Sequence, residues 1–196
     1  AKLVALVDIR PEVLAKAAEL YGVEQTYSDY REMLDQEKLD GAIIATWHTA
    51  HYKPALDCLN QDLHIVLEKP MVLDAVEART LVETAQARKR EIVMSYPFHY
   101  VPQTVRARDV VQGGELGEVV YISNMYSDIV HSLYRGDDMA DREDVAEQYV
   151  VEGPGDVYSD PERSGGGQGH LQATHSVALM LFITGLRTWA RYRDGV

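Results

Sequence analysis

Short apolar runs separated by helix-period stretches organise the first hundred residues. Leu3–Val7, Ala42–Thr46, His64–Leu67 and Ile92–Ser95 barely alternate with polar residues. That is the pattern of strands buried on both faces. Between them, Pro11 suits a first helical turn, Leu14, Ala17, Ala18 and Tyr21 mark one helix face, and Gly22 stands as a C-cap. Ser28 or Asp29 caps a short helix through Leu34, and Thr49–Asn60 is a further helical stretch. Asp74 caps a longer helix with Ala78, Leu81, Val82 and Ala85 on one side. Strand–helix alternation of this kind predicts an α/β fold: a parallel sheet with helices on both faces.

The pattern changes after Tyr96. A helix over 101–111 leads to Gly113-Gly114 and Gly117, and Glu118–Tyr126 alternates as a strand does. Residues 136–164 are acidic and rich in Gly, Pro and Asp, and read as a long loop. After Gly165-Gly166-Gly167, an apolar helix is expected over 168–184, ending at Gly185, and 187–193 read as the start of another strand. The organisation expected is a dinucleotide-binding domain over 1–97 and the start of a second, partial domain over 98–196.

Composition narrows the function classes. Asp plus Glu outnumber Lys plus Arg by 31 to 19, a formal net charge of −12. Nucleic acid and anionic membrane surfaces both demand positive charge, so neither is an expected partner. The longest apolar run, Val177–Ile183, is far short of the roughly 20 residues a membrane span needs. No basic, cleavable leader opens the chain, and the one cysteine, Cys58, rules out an internal disulfide framework. A cytoplasmic protein is the resulting expectation.

Several residues stand where chemistry is done in such folds. Asp8 ends the first strand, where a carboxylate accepts the ribose hydroxyls of a bound NAD. Arg10 beside it suits the 2′-phosphate of NADP. Capping of the helix that begins at Pro11 is an equally open role for Asp8. Only seven residues precede Asp8 and none is glycine, so the glycine-rich turn of a dinucleotide site is not in the chain, which reads as a piece of a longer protein. Glu68-Lys69-Pro70 follows the third apolar run, at the strand end where open α/β sheets bind ligands. Lys69 there is a proton donor or carbonyl polariser, and a cis Pro70 would fix its direction. Thr46, His48 and His51 follow the second apolar run, placed to touch a nicotinamide or ribose. The two histidines lack a third ligand at metal-motif spacing, so no metal is expected.

A second cluster holds His170, Gln172 and His175. On one helix, His170 and His175 lie about 140° apart, so only one faces a site. His175 is the candidate acid–base group, and a packed core histidine is the plainer alternative. Tyr96 and His99 belong to an aromatic stretch at the joint of the two halves, suited to a cleft wall or to packing.

Taken together, Asp8, the Thr46–His51 stretch, Glu68-Lys69-Pro70 and the glycine-led segment with His175 resemble the Gfo/Idh/MocA family of nicotinamide-dependent oxidoreductases. The resemblance implies a Rossmann-type domain, incomplete at its N-terminus here, followed over 98–196 by a partial α+β domain with a mostly antiparallel sheet. It implies hydride transfer between NAD, or NADP, and a hydroxyl carbon of a sugar or polyol. Lys69 and His175 would be the proton-handling pair, with Tyr96, His99, His170 and Gln172 toward the substrate. A homo-oligomer joined through the second domain's sheet is also implied. Leu171 stands where the family carries an Asp. That departure keeps two alternatives in view: an NAD-using glycoside hydrolase or lyase, and a non-catalytic sugar-binding relative.

Overall fold

The computed structural model describes residues 1–125, 157–167 and 171–186. The chain divides into two units, one holding residues 1–95 with 157–167 and Leu171, the other residues 96–125 and 172–186.

In the first unit the elements run β1 (Ala5–Val7), α1 (Pro11–Tyr21), β2 (Gln25–Tyr27), α2 (Tyr30–Gln36), β3 (Gly41–Ile44), a 3₁₀ turn (His48–Ala50), α3 (Tyr52–Asn60), β4 (His64–Glu68), α4 (Ala75–Arg88) and β5 (Ile92–Ser95). The expected punctuation is present. Pro11 opens α1 and Gly22 closes it in the left-handed region at φ 63°. Asp29, rather than Ser28, caps α2 by accepting the Arg31 N–H. The Asp74 carboxylate accepts the N–H groups of Val76 and Glu77.

β1 pairs β2, β3 pairs β4 and β4 pairs β5, all in parallel. The two sheets have the orders β1-β2 and β3-β4-β5. β2 is an element the apolar pattern does not announce. Gln25-Thr26-Tyr27 is polar and mostly exposed, and its pairing with β1 makes it a strand.

One face of the larger sheet is packed. Ile44, Ile65 and Leu67 join Ala55, Cys58, Leu59, Leu81 and Ala85 in the core beneath α3 and α4. Each fully buried Leu or Ile there contributes roughly 1.5–3 kcal/mol. The other face is not packed as expected. The registered neighbours Ile43, Val66 and Val93 are 76%, 37% and 44% exposed. That face of the β3–β4–β5 sheet is therefore left uncovered at these positions among the described residues. Val82 also departs from the expected buried face of α4, at 40% exposed. A helical turn, α6 (Pro161–Ser164), completes the unit, capped by Asp160.

The second unit holds a 3₁₀ turn (Pro97–Tyr100), α5 (Pro102–Gln112) and α7 (Ala173–Thr184). α7 ends at Gly185 in the left-handed region. Its last carbonyls would otherwise lack partners. The Gln112 side chain of α5 donates to Phe182 and Ile183 at 3.0 and 3.3 Å. The strand expected over 118–126 is not formed by 118–125, which has no paired partner there. Val120, Tyr121 and Met125 are at least 82% exposed. The loop at 136–156, the helix start at 168–170 and the strand at 187–193 lie outside the described residues.

Candidate functional site

The site is assembled at the carboxyl ends of the strands. β4 delivers Glu68 to its last position, and Lys69-Pro70 follows through a cis peptide bond. Both Glu68 oxygens are engaged. Oε1 accepts the Ser95 hydroxyl at 2.6 Å and Oε2 accepts the Lys69 main-chain N–H at 3.1 Å. Ser95 is the residue registered beside Glu68 on β5. Glu68 is thus a brace between two strand ends and the loop that starts there.

The Lys69 side chain leaves that loop and donates from Nζ to the Leu171 carbonyl at 2.9 Å. The Tyr158 ring centroid lies 5.9 Å from the ammonium, within cation–π reach. Burial lowers the Lys69 ammonium from its ordinary value, opposed by the Glu68 carboxylate. A buried lysine bound by a neutral carbonyl is readier to give up its proton than a solvated one.

His48, in the 3₁₀ turn after β3, is buried, and its Nδ1 lies 2.9 Å from the Ser164 carbonyl. A carbonyl only accepts, so Nδ1 carries the hydrogen. Burial pushes the imidazole down to about 4, against the Ser164 bond, with Lys69 acting in the same direction as burial. His48 is therefore neutral at pH 7. Its ring lies edge-on to His51 and tilted toward Tyr158, at 5.8 and 5.9 Å. Gly165 lets the α6 segment close here. Its φ is +77°, and an added Cβ would run into Leu73 Cδ1.

His51 is fully buried, with Nδ1 2.8 Å from the Pro70 carbonyl and Nε2 3.0 Å from the Thr46 carbonyl. Both nitrogens are taken by main chain, which leaves neither turned toward a ligand. Thr46 enters through that carbonyl.

Asp8 lies just past β1. Its Oδ1 accepts the Arg10 main-chain N–H at 2.8 Å and the Arg10 guanidinium at 3.3 Å. Arg10 is itself the N-cap of α1 and no side chain caps that helix. The capping role left open for Asp8 is thereby removed, and its carboxylate stays at the surface, 29% exposed.

In the second unit the expected aromatic cluster is a packed one. His99 is stacked between Tyr96 and Phe182, with centroids 5.2 and 4.4 Å away. The Tyr96 hydroxyl hydrogen-bonds Thr174 at 2.8 Å. His175 meets Tyr96 and Phe98 edge-on at 5.9 and 5.6 Å. The Gln172 side-chain oxygen, Oε1, is buried without a hydrogen-bond partner among the described residues. Gln172 precedes α7 as its N-cap residue without a side-chain cap bond. His170 lies outside the described residues.

Four contributors escaped sequence reasoning: Ser95, Tyr158, the Ser164 carbonyl and the Leu171 carbonyl. Ser95 was within reach, because it ends the strand expected beside β4. Tyr158 and Ser164 come from a distant segment with no periodic signal, and Leu171, on an expected apolar helix, contributes a main-chain atom that no residue-type pattern encodes.

Residues 1–96 match a family model described as the GFO_IDH_MocA oxidoreductase family, NAD-binding Rossmann fold. D-glucoside 3-dehydrogenase of Escherichia coli is 32% identical over 120 residues, 60% of this chain and 34% of that protein. D-xylose 1-dehydrogenase (NADP(+)) of Hypocrea jecorina is 30% identical over 95 residues, 48% of this chain and 24% of that protein. The chain thus spans about a quarter to a third of these curated relatives. Among solved structures, myo-inositol 2-dehydrogenase of Lactobacillus plantarum superposes with a TM-score of 0.73 over 94% of this chain and 49% of that one, at 22% identity. That likeness is one of fold.

Proposed function

For a chain whose residues 1–96 belong to the Gfo/Idh/MocA oxidoreductase family, we propose an NAD(P)-dependent dehydrogenase of sugars or polyols. The observation that supports it best is the fixed, desolvated Lys69 at the carboxyl end of β4, with its Nζ held on the Leu171 carbonyl. Ligands of open α/β sheets bind outside those strand ends.

The residues present suit a dinucleotide. The exposed Asp8 carboxylate stands at the end of β1 for the adenosine ribose, with the Arg10 guanidinium beside it for a 2′-phosphate. Bound NAD(P) would supply the hydride acceptor. Lys69 takes the hydroxyl proton of the substrate as a general base and returns it in the reverse direction. The Glu68 brace holds the main chain from which Lys69 projects. Neutral His48 packs the α6 segment against the β3 end, keeping water from the buried side of the lysine. A proton-handling role for His175, a homo-oligomer and a cytoplasmic location belong to the same proposal and rest on the family resemblance.

The test is calorimetric titration with NAD and NADP, followed by initial rates of NAD(P)H formation on a panel of aldoses, glucosides and inositols. Saturable, polyol-dependent NAD(P)H formation is expected. Cofactor binding without reduction on any hydroxylated ring would overturn the dehydrogenase reading.

A further inference from the structure

We infer that His51 is a positioning residue for Lys69: its ring ties the Thr46 and Pro70 carbonyls together and so sets the direction in which Lys69 leaves the sheet. The inference rests on the reading of Lys69 as the proton-handling group.

The geometry is two-ended. Thr46 follows β3, and Pro70 follows β4 directly after Lys69. β3 and β4 are hydrogen-bonded neighbours. Beyond them the ladder has ended, and the His51 ring replaces it with bonds of 2.8 Å to Pro70 and 3.0 Å to Thr46. Both partners are carbonyls, which have no hydrogen to give, so a ring N–H is the only donor this pair offers to either of them. Exchanging ring carbons for nitrogens would leave both carbonyls facing C–H groups. Full burial makes an unmade bond here costly, because no water replaces it.

The platform beneath the ring is fixed. The His51 N–H donates to His48 O, and its own carbonyl accepts the Ala55 N–H of α3 at 3.2 Å. His48 on the same turn has its ring centroid 5.8 Å away, and Lys69 and Glu68 from the end of β4 act electrostatically on that His48. Glu68 spends both oxygens on Ser95 and the Lys69 N–H. The loop bearing Lys69 is thus held from two sides: Glu68 at the residue before it, His51 at the residue after.

The experiment compares wild type with His51→Ala, His51→Gln and His51→Phe in the whole protein. The first readout needs no enzymatic activity: the rate of Lys69 acylation by acetic anhydride across pH, followed by mass spectrometry. The variants are expected to shift that profile, and added imidazole to return it in His51→Ala but not in His51→Phe. On the dehydrogenase reading, kcat falls about 10–100-fold with KM for the cofactor unchanged, since small misplacement of a reacting group acts on the chemical step. A folded variant with the wild-type acylation profile and kcat overturns the proposal. So does a wild-type His51 ring whose ¹⁵N spectrum shows no hydrogen bond from the ring to either carbonyl, a readout that stands even where every variant unfolds. A shifted Lys69 profile in a protein that reduces no NAD(P) on any substrate leaves the strap standing and removes the dehydrogenase reading instead.

Discussion

Lys69 and Leu171 are joined side chain to main chain, Nζ to carbonyl oxygen, at 2.9 Å. The Leu171 side chain cannot accept a proton or hold a hydroxyl, but its carbonyl takes the lysine. The residue type at 171 is therefore freer than its position.

Leu171→Ala tests that separation. The carbonyl remains while a fully buried side chain is lost, at a cost of about 2–5 kcal/mol. The urea midpoint should fall, and the Lys69 acylation profile should stay that of wild type in the folded variant. Lys69→Met removes the amine itself and should lower kcat by about 10²–10⁴-fold with stability little changed. A Lys69→Met enzyme that turns over normally would exclude Lys69 from proton transfer.

His48 makes stability depend on pH. Its folded value is about 4 against an ordinary 6.5, so between those values the unfolded chain binds the proton and the folded protein does not. The lowered value contributes stability that is full above pH 6.5 and is lost as pH falls toward 4. The shift corresponds to a loss on the order of 3 kcal/mol. Urea midpoints taken across that range should fall steeply in wild type and less in His48→Gln. Parallel slopes in the two proteins would show that other groups control the acid transition.

Gly165 carries two separable demands, a φ of +77° and the closeness of Leu73 Cδ1. Gly165→Ala should destabilise by about 1–3 kcal/mol. Leu73→Ala in the same chain should recover the steric part and leave the backbone part, so that the double variant is destabilised by less than the sum of the two single variants. Strict additivity of the two substitutions would mean that Leu73 yields freely.

What the sequence disclosed follows from the range of the interactions. α1 and α4 were legible because Pro11, Gly22 and Asp74 act within one turn of the helix each bounds. β2 was not, because Gln25-Thr26-Tyr27 owes its strand state to β1 and not to an apolar pattern. The helix expected over Thr49–Asn60 is broken at His51, whose ring reaches back to Thr46 and across to Pro70. Lys69 was found from its place after β4. Its acceptor, Leu171, is far along the chain and offers a main-chain atom, which no residue-type pattern encodes.

The last prediction concerns Asp8 and Arg10. The Asp8 carboxylate accepts the Arg10 main-chain N–H at 2.8 Å and also faces its guanidinium, at 3.3 Å from Oδ1 and 3.5 Å from Oδ2. The main-chain bond orients the carboxylate whatever stands at position 10. The longer, exposed side-chain contact is worth little and yields to a better partner. A ribose 2′-hydroxyl donates to Asp8, whereas a 2′-phosphate repels Asp8 and attracts Arg10. Asp8→Ala should therefore weaken NAD binding by about tenfold, the value of one hydrogen bond to a charged group, while NADP binding holds or improves. Arg10→Ala should keep NAD binding and weaken NADP binding by a similar factor. Calorimetric titrations of both cofactors against the two variants decide it. Equal losses for NAD and NADP in both variants would mean that this surface does not read the ribose.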